Sequence, residues 1–327
     1  MAYTAEILSR ARARLAQAKE QREVENSRAL QQAYRQVPRI QQIDQALKLS
    51  MVRAAQTVFE RGVDAEEIFK QVRQENQSLQ EERKRLVEEN FEPGFLDDAP
   101  ICPICGGSGY MGAQMCKCLQ ELCRQEQQKE LTVLSGSGLE RFDTFQLGYY
   151  SDVPDPTLGA SPRAIMGLTL QTCKRYAQSF SPKSGNLLLN GNPGLGKTFL
   201  SACIAKTVAD NGYSVVYESA VHLFACLEEA KFTGKEEAKH QAEKYAICDL
   251  LIMDDLGAEM LTPFVQSALY TVLNDRLLTG APTVVSSNLR AADFSTRYGP
   301  AIASRLLGGY RLVTFVGQDV RLQKARF

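Results

Sequence analysis

The chain has little of what most enzyme and membrane classes require. It carries two histidines in 327 residues, His222 and His240, and neither is spaced from an acid or nucleophile so as to build a catalytic relay; neither receives a role. No apolar run approaches the roughly 18 residues of a membrane helix, which excludes a helical span and leaves a soluble chain. Net charge is absent too: 38 basic residues balance 38 acidic ones. A protein that coats duplex DNA through its overall field is basic, so any nucleic-acid contact here must be a local stripe or a ring of subunits acting together. No signal peptide precedes the cysteines, so the expected location is a reducing cytoplasm.

Proline and glycine are nearly missing from the first 92 residues, which hold only Pro38 and Gly62 and are rich in Gln, Glu, Arg, Ala and Leu. This is helical material. The pattern predicts helices over 5–30, 40–61 and 64–90, with Val63-Asp64 supplying a cap for the third. Ile40, Ile43, Leu47 and Met51 recur at spacings of three and four, a narrow stripe that serves either packing among these helices or a partner. Glu92-Pro93-Gly94 ends the region, and Ser135-Gly136-Ser137-Gly138 marks a second linker. The expected division is a helical arm over 1–92, a cysteine segment over 93–134 and a larger domain over 135–327. At 44% hydrophobic, the chain can bury one large core and a smaller one.

Four of the nine cysteines are grouped: Cys102-Pro-Ile-Cys105 is followed by Cys116-Lys-Cys118. Four thiolates suit tetrahedral zinc, and Gly106-Gly107-Ser108-Gly109 has the turn chemistry that lets backbone N–H groups face sulfur. The second pair is Cys-x-Cys, and Cys123 lies five residues further on, an alternative fourth ligand to Cys118. A disulfide pair or an iron–sulfur cluster are the competing readings. The set holds no histidine or carboxylate, which favours a structural zinc.

Gly191-Asn192-Pro193-Gly194-Leu195-Gly196-Lys197-Thr198 fits G-x-x-x-x-G-K-[ST]. Ahead of it, 186–189 reads as a buried parallel strand; behind it, 199–209 has helical spacing. In that context the glycines let backbone N–H groups approach the phosphates of ATP, Lys197 reaches the outer phosphates and Thr198 ligates Mg²⁺. A second apolar strand, 250–253, ends in Asp254-Asp255. Asp254 is expected beside the loop as a holder of hydrated Mg²⁺, with Asp255 orienting the attacking water. A third strand, 282–285, runs into Ser286-Ser287-Asn288, and Asn288 is either a γ-phosphate partner or a turn residue. Arg297 and Arg305 fall on one helical segment, 295–307, before a last strand over 310–316.

These residues resemble the AAA+ helicase loaders of the DnaC and DnaI type and their transposition relative IstB. The resemblance covers roughly 142 to the C-terminus and rests on GNPGLGKT, LLIMDDLGAE, ALYTVLNDR, VVSSNL, and RYGPAIASRLLGGY followed by GQDVRLQK. It implies an α/β, AAA+ P-loop ATPase with a parallel sheet, here preceded by the helical arm and the zinc knuckle. It further implies ATP hydrolysis as a switch, with Arg305 as a finger acting on a neighbouring subunit's nucleotide and Arg297 as the alternative. Arg321 takes the place of the second sensor arginine, although the eleven residues 317–327 are too few for a helical lid of usual size. The resemblance also implies self-association into an oligomer or spiral, a replicative DnaB-type helicase gripped by the arm, and single-stranded DNA. In the insertion over 221–246, Phe232 would stack on a base while Lys231, Lys235 and Lys239 follow phosphates; a solvated basic face with the aromatic in the core is the plainer reading. An IstB-like transposition helper and a nucleotide-sensing adaptor with little turnover are the alternatives, the latter because Asp255 stands where many AAA+ enzymes carry Glu.

Overall fold

The computed structural model describes residues 3–61, 65–96, 99–135 and 140–324. The proposed Val63-Asp64 cap and most of the Ser-Gly linker lie outside them. Contacts divide the chain into two compact units, one of Met1–Arg12 with Lys117–Phe327 and one of Ala13–Cys116.

Three helices open the chain: α1, Ala5–Gln36; α2, Pro38–Arg61; and α3, Ala65–Asn90. Pro38 forces the break between the first two, because the residue before a proline is pushed out of the helical region while proline itself is at ease in a first turn. Cross-links between α2 and α3 run in reverse order, Arg39 with Glu82 at 2.8 Å and Ser50 with Asn76 at 2.9 Å, so the two are antiparallel. Arg83 donates to Asp44 at 2.7 Å, and Tyr34 donates to the same carboxylate at 2.9 Å. Burial with that hydrogen bond pushes the Tyr34 phenol up to about 12. Ile40 and Ile43 of the apolar stripe are buried and Leu47 is half-buried, so at least this part packs among the helices. A two-residue hairpin, β1 Tyr110–Met111 and β2 Gln114–Met115, follows.

The other unit is built on five parallel strands: β3 Leu187–Asn190, β4 Val215–Ser219, β5 Leu250–Leu256, β6 Thr283–Ser287 and β7 Arg311–Thr314, in the order β4-β5-β6-β3-β7. Both faces are covered, which is why the strands read as continuous apolar runs rather than alternating ones. Leu187, Leu189, Ile252 and Val284 enter the core beneath α5 (Pro162–Gln178) and α6 (Lys197–Asp210). Their neighbours Leu188, Leu251, Met253 and Val285 enter the opposite core with Leu269, Leu273, Ile302 and Leu306. The edge strand β4 is covered by α4 (Lys117–Ser135): the buried Gln127 side chain donates to the Tyr213 carbonyl at 2.8 Å and accepts from the Val215 N–H at 3.0 Å, taking the place of a missing strand.

Two expected single helices are each two. The insertion divides into α7, Ala220–Thr233, and α8, Glu236–Ile247, where Gly234 takes a left-handed φ of 66° that stops the first. The segment expected over 295–307 divides at Gly299 into α10, Asp293–Tyr298, and α11, Pro300–Gly309, again with a proline opening the second helix. Between β5 and β6 runs α9, Pro263–Thr279. Its Arg276 is fully buried, with no carboxylate partner among the described residues; the guanidinium instead donates to Thr283 Oγ1 at 2.8 Å and to the carbonyls of Tyr245 at 2.9 Å and Pro282 at 2.7 Å. One side chain thereby ties the end of α8, the end of α9 and the start of β6 together.

Candidate nucleotide site and cysteine cluster

Residues 191–198 leave β3 and enter α6, with Gly196 in a left-handed conformation (φ 87°) at the helix start. Lys197 is buried; its ammonium donates to the Gly191 and Asn192 carbonyls, each at 2.7 Å, and to Asn288 Oδ1. Burial lowers the Lys197 pKa to about 8, the nearby Asp255 and Asp254 oppose that shift, and the positive charge of Arg321 adds to it. Thr198 is exposed at the mouth of the loop.

The strand that carries the acidic pair is not paired with the loop strand, because β6 is interposed between β5 and β3. What accompanies the Asp255 carboxylate to the cavity is an irregularity. The β5–β6 register shifts between Met253 and Leu256, and Asp255 has a φ of 57°, the one positive φ among described residues other than glycine. In a regular strand, consecutive side chains point to opposite faces; a bulge re-aims one of them. Asp254 is buried, with Tyr217 donating to Oδ2 at 2.7 Å and Ser286 donating to Oδ1. Burial and that carboxylate push the Tyr217 phenol strongly upward. The Asp255 N–H donates to Ser286 Oγ at 2.8 Å, and its Oδ1 accepts from Asn288 at 2.6 Å. Asn288 therefore faces Lys197 with its oxygen and Asp255 with its nitrogen.

A cavity of about 440 Å³ opens beside these groups, lined by Pro193, Gly194, Lys197, Thr198, Asp255, Asn288 and Arg321 and by Glu140, Phe145, Tyr149 and Tyr150. Cationic groups together with aromatic faces suit a nucleoside triphosphate. The Tyr150 hydroxyl donates to the Leu195 carbonyl at 3.0 Å, anchoring the aromatic wall to the loop. The chemistry of the lining fits magnesium with ATP: the Thr198 hydroxyl would be an oxygen ligand at the loop, the Asp254 carboxylate, buried behind the cavity wall, would offer a second, and the ion would offset phosphate charge.

The two arginines proposed as fingers lie elsewhere. Arg305 rests over the Tyr270 ring at 4.1 Å and donates to the Tyr270 hydroxyl at 2.6 Å and to Asn274 Oδ1 at 2.9 Å, on the surface between α9 and α11. Arg297 is pinned internally: it donates to the Glu259 carbonyl at 2.6 Å and pairs with the Glu259 carboxylate at 3.2 Å. That buried carboxylate also accepts from Tyr298 and from the Gly257 N–H at 2.8 Å. Of the insertion residues, Phe232 is 68% exposed, which removes the reading that buries it. Its ring lies 5.7 Å from that of Phe264, with the Lys231 ammonium 5.3 Å from the Phe264 ring centre. Lys235 and Lys239 are exposed, and Lys239 pairs with Glu236 at 2.7 Å.

Tyr217, Ser286, Glu259 and the aromatic wall join the site without a motif of their own. Ser286 and Glu259 stand inside the quoted motifs and were open to inspection; Tyr217 and Tyr150 are ordinary apolar-pattern positions until the sheet is assembled.

In the segment 102–118, the sulfurs of Cys102, Cys105, Cys116 and Cys118 lie within 4.8 Å of one another, and Cys102 and Cys116 are 3.8 Å apart. A tetrahedron with Zn–S of about 2.3 Å has an edge of about 3.8 Å, whereas a disulfide needs about 2.05 Å. The Gly109 N–H donates to Cys105 Sγ at 3.3 Å, as a thiolate ligand requires of its surroundings. Zinc fits, and these four would hold it. Cys123, the alternative ligand, is outside the cluster, buried, with its pKa raised to about 11 by that burial.

A phosphate-binding loop on the strand between β6 and β7, an acidic strand end two strands away and helices on both faces define an AAA+ P-loop nucleotide-binding protein. Residues 160–326, just over half of the chain, match the family described as IstB-like ATP binding protein, and the chain belongs to it. A putative ATP-binding protein of insertion sequence IS21 from Pseudomonas aeruginosa is 30% identical over 194 residues, 58% of this chain and 65% of that one. The replicative helicase loader DnaI of Bacillus subtilis (strain 168) is 30% identical over 139 residues, 42% of each chain. The chain thus spans less than two thirds of these relatives' lengths. A crystal structure of the DnaC helicase loader aligns with a TM-score of 0.46 at 20% identity, covering 54% of this chain and 97% of that one. Among the described residues no helix is long and apolar enough to cross a membrane.

Proposed function

We propose that this protein is an ATPase that uses nucleotide binding and hydrolysis as a switch to deliver a replicative DNA helicase onto single-stranded DNA. The observation that carries the reading is that the chain holds a nucleotide site in one unit and, ahead of it in sequence, a helical unit and a four-cysteine cluster, a division suited to gripping a partner with one part and reporting nucleotide state with the other. In the site, Lys197 and Arg321 receive phosphates, Thr198 and Asp254 hold magnesium, and Asp255 with Asn288 positions water. Residues 1–92 act as the partner arm, the exposed Phe232 with Lys231, Lys235 and Lys239 contacts DNA, and Arg305 completes a neighbouring subunit's site in an oligomer. The similarity to the Bacillus loader supports this assignment. Co-purification from the native cell tests it: a replicative helicase retained in an ATP-dependent way is the expected result, and its absence refutes the reading.

A second reading is favoured by the family match and by the longer alignment with the IS21 protein. On it, the same ATP switch serves a transposase. Recovery of a transposase in the same co-purification selects it.

A further inference from the structure

The segment after β7 returns to the phosphate loop. The Val320 N–H donates to the Gly194 carbonyl at 3.0 Å, so the short helix α12, Val320–Lys324, begins on the loop itself. Asp319 caps it, its Oδ1 accepting from the Arg321 N–H at 2.8 Å. The fit is close: a Cβ added at Gly194, where φ is +75°, would lie 1.9 Å from Asp319 Oδ1. Arg321, two residues along, lines the cavity, and its charge is felt at Lys197. Two cations on one cavity repel each other, and a polyanion between them removes that repulsion.

We propose that Asp319 is a positioning residue whose carboxylate fixes the first turn of α12 against Gly194 and so holds Arg321 over the phosphates. This rests on the nucleotide reading above. Gly194 is the matching half: only a residue without a side chain lets Asp319 seat there, which gives this position of the loop a task apart from approaching phosphate.

Fluorescent-nucleotide titration of the full chain, read beside thermal unfolding, tests this. Asp319→Ala removes the cap and is expected to weaken ATP binding about fivefold, the fold-change of a typical lost cap, with little change in Tm. Asp319→Ser, which restores a capping oxygen, recovers most of the affinity. Because Asp319 acts only through Arg321, Asp319→Ala adds nothing to Arg321→Ala when the two are combined. Gly194→Ala displaces Asp319 and also strains the left-handed backbone of the loop, so its loss exceeds that of Asp319→Ala and is only partly shared with Arg321→Ala. Wild-type affinity in Asp319→Ala, or additive losses in the double variant, overturns the inference while leaving the nucleotide site intact. A wild-type protein that binds no ATP refutes the nucleotide reading, and this one with it.

Discussion

Raising the pH should weaken ATP binding, and Lys197 sets the window. In the free protein its pKa is lowered from 10.5 to about 8, burial being the main cause. A polyphosphate beside the ammonium favours the charged form and moves the pKa back up, so the complex holds a proton that the free protein has lost. The sign follows: affinity is full below about pH 8 and falls as pH rises through that value. If only the ammonium form binds, the competent fraction drops from about nine-tenths at pH 7 to about one-tenth at pH 9, a roughly tenfold loss of affinity or about 1.4 kcal/mol. The secondary ionisation of a phosphate, near pH 6, lies below this window. Isothermal titration calorimetry in two buffers of different ionisation enthalpy checks both parts: uptake of nearly one proton per ATP at pH 9 and almost none at pH 6.5. Constant affinity between pH 7 and 9 with no proton uptake refutes the reasoning, as does an unchanged slope in Lys197→Arg, whose guanidinium does not titrate there.

Lys197→Ala should abolish ATP binding while Asp255→Asn retains binding and stops hydrolysis; equal loss of nucleotide affinity in both variants, measured by calorimetry, defeats that division of roles. Arg305→Ala should cut turnover per subunit by about 10³-fold, the lower range for an arginine finger, and mixing with Lys197→Ala subunits should restore part of it; no rescue at any ratio means that Arg305 does not act across subunits. Arg276→Met removes the guanidinium from the Tyr245 carbonyl and Thr283 Oγ1, while the Pro282 carbonyl keeps the Leu251 N–H at 3.2 Å; at a cost of about 2 kcal/mol, thermal unfolding should fall by roughly 4–8 °C. Elemental analysis should find one zinc per chain, and Cys102→Ser or Cys116→Ser should release it; iron, or no metal in protein kept reduced throughout, excludes the zinc assignment.

Legibility followed how local the determinant was. The three opening helices, the strand ahead of the loop and the helix behind it were readable because each is fixed by its own periodicity, by Pro38 or by a complete motif. The four thiols were readable for the same reason, all lying between 102 and 118. Breaks within helices were missed at Gly234 and Gly299, where one residue outweighs a continuing apolar pattern. Contacts between strands were illegible. Tyr217 meets Asp254 because β4 and β5 pair in register, and nothing in VVYES announces it. Asp255 reaches the cavity through a shift in register that depends on β6 as much as on β5. Arg297 was read as a candidate finger from its position in RYGP, and only the buried Glu259 carboxylate, thirty-eight residues earlier in the chain, shows what engages it.

Strand order explains why the end of β6 carries so much of the site. By lying between β5 and β3, it can touch both the acidic strand and the phosphate loop, which do not touch each other through the sheet. Ser286 joins the two acidic residues, donating to the Asp254 carboxylate and accepting from the Asp255 backbone N–H. Ser287 offers its carbonyl to the Gly191 N–H at 3.3 Å and its hydroxyl to the Leu256 carbonyl at 2.6 Å, so one residue ties the first glycine of the loop to the end of β5. Asn288 completes the series, and its amide cannot be reversed: the oxygen must face the Lys197 ammonium and the nitrogen the Asp255 carboxylate. A phosphate that draws Lys197 away from Asn288 therefore alters the partner of Asp255 as well. On the proposed roles, nucleotide occupancy and the placement of the Asp255 carboxylate would be set by the same side chain.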